Sequence, residues 1–106
     1  MSNIAVTNNP KYINLGKNIE ATVEAMRLFK YVRQTSEQLA TRVLNCSEDA
    51  IKLSPEQSED VIQTHNRLLS LLTQAHSVAS EAFQQHASIY EKLEAELQKA
   101  FSESQK

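Results

Sequence analysis

Apolar residues recur along most of this chain at helical spacing. No glycine or proline interrupts the stretch from Ile19 to Pro55. Within it, Ile19, Val23, Met26 and Phe29 stand four, three and three residues apart. Val32, Ser36, Leu39, Val43, Cys46 and Ala50 continue at four, three, four, three and four. Each set lays an apolar stripe along one side of a helix. Residues 33–38 are polar throughout, and Thr35 with Gln38 three residues later has the form of a capping box. One long helix is therefore the first expectation, and a break near Gln34, giving three helices in all, is its alternative.

Two starts are open for this helix. Asn9 can cap with Pro10 as the first helical residue, where a missing amide proton costs nothing. Asn18 can cap with Glu20 in the first turn, where a carboxylate meets the positive helix end. Gly16 lies between the two and weakens the stretch by roughly 1 kcal/mol relative to alanine. Residues 1–9 are small and polar without a clear period, and read as a flexible lead-in to a single helical domain over 10–106.

The sharpest local signal is Leu53-Ser54-Pro55-Glu56-Gln57. Ser54 can accept from the Gln57 amide while the Gln57 side chain reaches back to the Ser54 amide, with Pro55 at the first helical position. Lys52 falls in the last turn of the preceding helix, where a cation suits the negative end. A turn this short joins antiparallel neighbours.

With Ile62 as position a of a heptad, the a and d positions of the second helix are Ile62, His65, Leu69, Leu72, His76, Ala79, Phe83, His86, Tyr90, Leu93, Leu97 and Ala100. The g positions add Val61, Leu68, Ala75, Ala82 and Ile89. A stripe three residues wide per heptad is what a bundle helix needs, whereas a two-stranded seam needs two. The unbroken helix would be about 70 Å long at 1.5 Å per residue.

These elements predict an all-α fold, a long antiparallel hairpin. A lone hairpin cannot bury a stripe this wide, so pairing into a four-helix bundle is expected, with a homodimer as its simplest form. A different protein supplying the missing helices is the other candidate partner. If the first helix runs from Asn18 to Ile51 and the second from Glu56 to Glu103, then Tyr90, Leu93, Leu97 and Phe101 overhang. Either Tyr12, Ile13 and Leu15 fold over them or a partner does. The expected association stripe is Leu69, Leu72, Ala79, Phe83, Tyr90, Leu93, Leu97 and Phe101.

Composition narrows the classes. One glycine and two prolines in 106 residues leave too few turn residues for a sheet protein. No apolar run approaches the roughly 20 residues of a membrane span, and no secretory signal pattern is present. A single cysteine excludes an internal disulfide framework and a multi-cysteine metal site. The net charge of −2 gives no case for nucleic acid. The charge is uneven, however. Residues 1–54 hold seven Lys/Arg and five Asp/Glu, and residues 55–106 hold four and eight. A mildly basic helix beside an acidic one fits a hairpin.

Candidate chemistry is sparse. His65, His76 and His86 all take a or d positions, which suggests a pH switch in which protonation near pH 6 charges an apolar seam. The plainer reading is that each ring sits at the bundle edge and bonds to water or a neighbour. Spacings of 11 and 10 residues place the rings about 15 Å apart along the axis, so one chain cannot bring two to one metal ion. Residues three before the histidines are Ile62, Thr73 and Phe83, so the Glu-x-x-His pattern of di-iron bundles is missing. Cys46, expected on the apolar stripe with Val43 and Ala50, has Ser47, Glu48 and Asp49 beside it and no cation to activate it. The basic and aromatic stretch 27–33 lacks any nucleic-acid reader motif and reads as a solvated face. The small residues of 75–82 would admit a close partner helix, or else mark a bend. No phosphate-binding loop or Ser-His-Asp set can be assembled, so no enzyme and no cofactor is expected.

The reading is a non-enzymatic interaction or assembly protein, expected in the cytoplasm. One alternative is an amphipathic coat for a membrane or lipid-like surface, though only Arg67, Lys92 and Lys99 flank the second stripe before the terminus. Another is an exported component of a bacterial assembly or injection machine, leaving without a signal peptide, with residues 1–9 as the export tag. Tyr90-x-x-x-Glu94 resembles the short C-terminal signal of small secreted helical-hairpin proteins, whose Trp-x-Gly turn this sequence lacks.

Overall fold

The computed structural model describes residues 10–104, and these form two long helices in a hairpin, α1 (Pro10–Ala50) and α2 (Pro55–Ser104). The expected lead-in over 1–9, with its Asn9 cap and export tag, lies outside the described residues. Of the two starts the early one is used. Pro10 is the first helical residue, and α1 passes through Gly16 and Asn18 without a break.

No break occurs near Gln34 either. Within the polar stretch Ser36 finds its partner inside the helix and Glu37 finds one on the second helix. Ser36 Oγ donates to Val32 O at 2.7 Å, and upstream Thr22 Oγ1 donates to Asn18 O at 2.7 Å. A hydroxyl satisfied by its own preceding turn can be buried without an orphaned donor. Ser36 and Thr22 are accordingly buried, at 5% and 7% exposure.

The turn is as short as expected, with two differences. Helix α1 ends at Ala50, so Lys52 sits past the helix rather than in its last turn. Its amide donates to Asp49 O at 3.1 Å, the Leu53 amide donates to Ala50 O at 3.0 Å, and Lys52 Nζ lies 3.6 Å from Asp49 Oδ1 on the exposed surface. Ser54 caps α2 through its carbonyl, which accepts from Ser58 N at 2.8 Å. Its hydroxyl donates to Gln57 Oε1 at 3.0 Å, so the two side chains satisfy each other instead of each taking a backbone amide.

The chain divides into two compact units, one of Met1–Leu28 with Ala82–Lys106 and one of Phe29–Glu81. In the first, Leu15, Thr22 and Ala100 are buried, and Tyr12 Oη donates to Ala100 O at 2.7 Å. In the second, Ser36, Ala50 and Ala79 are buried. Those six are the buried positions among the described residues, and none of the described side chains is fully enclosed. The interior of each unit is thus a seam of mostly small residues.

Occluded positions follow a seven-residue repeat on both helices. On α2 all twelve expected a and d residues, Ile62 through Ala100, are half-buried or buried. On α1 the repeat is Leu15, Thr22, Phe29, Ser36, Val43 and Ala50, alternating with Tyr12, Ile19, Met26, Arg33, Ala40 and Ser47. Of the expected α1 stripe, Ile19, Val23, Met26, Phe29, Val32, Ser36, Val43 and Ala50 are half-buried or buried, and Leu39 and Cys46 are not. Leu39 is 41% exposed and Cys46 is exposed, while Ala40 and Ser47 take the inner places. At 3.6 residues per turn, a one-position slip moves a side chain about 100° round the axis.

Candidate functional site

The expected association stripe lies largely within the hairpin itself. Leu69, Leu72, Phe83, Tyr90, Leu93 and Leu97 are half-buried, and Ala79 is buried. Phe101 is the outer member at 42% exposure. The expected overhang depended on a late start at Asn18. Because α1 begins at Pro10, Tyr12 reaches Ala100 and Leu15 is buried, whereas Ile13 points outward at 42% exposure.

Each histidine has a polar neighbour. His65 Nδ1 lies 2.7 Å from Ser47 Oγ, which also contacts Val43 O at 2.9 Å. With its one proton directed at that carbonyl, the Ser47 oxygen accepts from the His65 ring. His76 Nε2 lies 2.9 Å from Glu37 Oε1 across the seam of the 29–81 unit. The pair stands at a shallow groove of about 180 Å³ lined by Ser36, Ala40, Leu72 and Thr73. His86 Nδ1 donates to Ala82 O at 2.9 Å. His76 thus stands beside a carboxylate at the edge of the seam. Among the described residues no three His, Cys, Asp or Glu side chains group to hold a metal ion.

Tyr90 and Glu94 interact one turn apart on α2. The Glu94 carboxylate, by its charge first and its hydrogen bond second, raises the Tyr90 phenol above its ordinary value of 10.0, with a smaller push from burial. In the 27–33 stretch Arg27, Lys30 and Tyr31 are exposed, while Phe29, Val32 and Arg33 are half-buried.

The surface that sequence reading missed is a second apolar row in the 29–81 unit. Leu68, Leu71 and Val78 of α2 are 42%, 61% and 62% exposed, and Leu39 of α1 is 41% exposed. Its signal is present in the sequence. Val61, Thr64, Leu68, Leu71, Ala75 and Val78 repeat at three and four, one flank over from the seam. Positions 61, 68 and 75 had been read as the margin of a single wide stripe. Leu71 and Val78 extend that margin into a row of its own.

Compared with known protein families, with curated proteins and with solved structures, the chain matches none.

Proposed function

We propose that this chain is a non-enzymatic helical assembly protein that works through protein–protein contacts. The observation that carries the reading is the exposed row Leu68, Leu71 and Val78, contiguous in helical register and lying outside the hairpin's seam. Contiguous exposed apolar residues mark a contact site more often than scattered ones do. The opposite flank of the same helix segment, Gln63, Asn66, Ser70, Thr73 and Ser77, carries no apolar side chain. None of the described helices is long and apolar enough to cross a membrane. A surface coat for lipid would call for cations beside the row, and the outer positions nearest it are Asp60, Arg67, Gln74 and Glu81.

A photo-crosslinking amino acid placed at Leu71, and separately at Gln63, tests the reading in the cell of origin. The expected result is a discrete protein adduct from position 71 and none from position 63. A lipid adduct at position 71, or no adduct at all, removes the proposal.

A further inference from the structure

We infer that the apolar flank of the 29–81 unit is covered by a second copy of this chain, with α1 of one copy lying over α2 of the other. The inference rests on the protein-contact reading above and names the partner.

The seam of this unit has two edges. One is the groove rimmed by Glu37 and Thr73, with Leu72 at its floor and polar residues on the exposed rim of α2. The other edge carries Leu68, Leu71 and Val78 on α2 and Leu39 and Cys46, with Thr35 and Arg42 among them, on α1. The Ser47–His65 and Glu37–His76 contacts fix the antiparallel register. In that register Cys46 stands level with Leu68, Leu39 with Ala75 and Thr35 with Val78.

Side-chain size decides the occupant. At two of these three levels one helix carries a large residue and the other a small one, and at the third Thr35 and Val78 are near in size. A two-fold axis parallel to the helices turns the flank onto itself with α1 above α2. Leu68 then meets Cys46 and Leu39 meets Ala75, large over small as close packing requires, and Val78 meets Thr35. Arg42, level with Leu71, lays its aliphatic stem on that leucine and carries its charge to the rim. A two-fold axis perpendicular to the helices would stack α1 on α1 and α2 on α2 with their levels reversed, and would not set Leu68 over Cys46 or Leu39 over Ala75.

Charge selects the same arrangement. Within this unit, residues 29–54 hold four Lys/Arg and three Asp/Glu, and residues 55–81 hold one and four. Crossing the helices sets unlike charge against unlike, and stacking like on like would oppose association. The hairpin also encloses none of its described side chains fully, and a second hairpin on this flank supplies the closed core of a four-helix bundle.

Sedimentation of the purified full chain tests the inference. The expected mass is twice the 12.0 kDa of one chain. Leu71→Glu with Val78→Glu, at sites already more than half exposed, should halve the mass while leaving the helical circular dichroism intact. Leu44→Glu, exposed on the other edge, should leave it at two copies. Alkylation of Cys46 should slow as protein concentration rises. Chains bearing Thr35→Cys mixed with chains bearing Val78→Cys, each in a Cys46→Ser background, should form a disulfide between copies. A wild-type mass of 12.0 kDa at every concentration, a double variant that still pairs, or a Cys46 rate indifferent to concentration overturns the inference. If the wild type is a monomer yet Leu71 crosslinks to a protein of another mass, the second copy is excluded and the assembly reading stands. With no protein adduct, that reading falls too.

Discussion

The Tyr12 hydroxyl donates to the Ala100 carbonyl at 2.7 Å, tying the first described turn of α1 to the last turns of α2. Tyr12→Phe keeps the ring and removes the bond. It should lower stability by about 0.5–1.5 kcal/mol, with faster amide exchange concentrated around residues 97–103. Exchange unchanged there would show that the bond holds nothing.

How much of this was legible in the sequence differs between the helices for a physical reason. On α2 the seam positions carry Leu, Phe, Tyr and Ile, so the apolar period and the occluded face coincide. On the second half of α1 they do not. The inner places go to Arg33, Ser36, Ala40 and Ser47, while Leu39, Leu44 and Cys46 face outward. An apolar period marks surface that avoids water, whichever neighbour covers it. On the second half of α1 two of the apolar positions, Leu39 and Cys46, lie on a flank that the hairpin leaves open, while Val43 and Ala50 stay inside. The hydroxyl bonds that let Ser36 and Thr22 be buried are local to the helix, and apolar periodicity does not register them.

Gly16 lies inside α1, and a Cβ built there meets nothing within 4 Å. Alanine loses less conformational freedom on folding and introduces no clash at this site. Gly16→Ala should therefore raise stability by about 0.5–1 kcal/mol in urea unfolding. A loss of stability would mean that the open space is needed by something else.

Ala79 is 5% exposed on the seam. Ala79→Leu forces extra volume between the two helices of its unit and should cost about 1–3 kcal/mol. The same leucine at exposed Ser77 should change stability by less than about 0.5 kcal/mol. Equal tolerance at both positions would contradict the close approach.

Tyr90 holds its proton more tightly in the folded chain because Glu94 is beside it. A group whose folded value is raised gives stability that is complete below its unfolded value. That stability is lost as pH climbs through the folded value. Stability should thus fall as pH passes above 10.0. Glu94→Gln removes the charge and should bring the Tyr90 titration, followed at its own ring resonances, down toward that figure. A titration that stays put in the variant would assign the shift to another cause.

Glu37 and His76 meet at 2.9 Å with both side chains at least a third exposed. A double-mutant cycle with Glu37→Gln and His76→Gln should return a coupling of only about 0.2–1 kcal/mol, shrinking in high salt. A coupling of several kcal/mol would point to a far drier pair than the structure shows.

At its most deeply buried points the seam carries alanine, serine and threonine, with Leu15 the one larger side chain. At those points a slide of one helix past the other by a whole heptad would meet a shallow relief. What such a slip would forfeit is directional. The hydroxyl of Tyr12, the ring of His65 and the carboxylate of Glu37 would each lose the single atom they reach in the native alignment. A few polar appointments and a short capped bend therefore add direction to the alignment that the larger seam side chains give by packing.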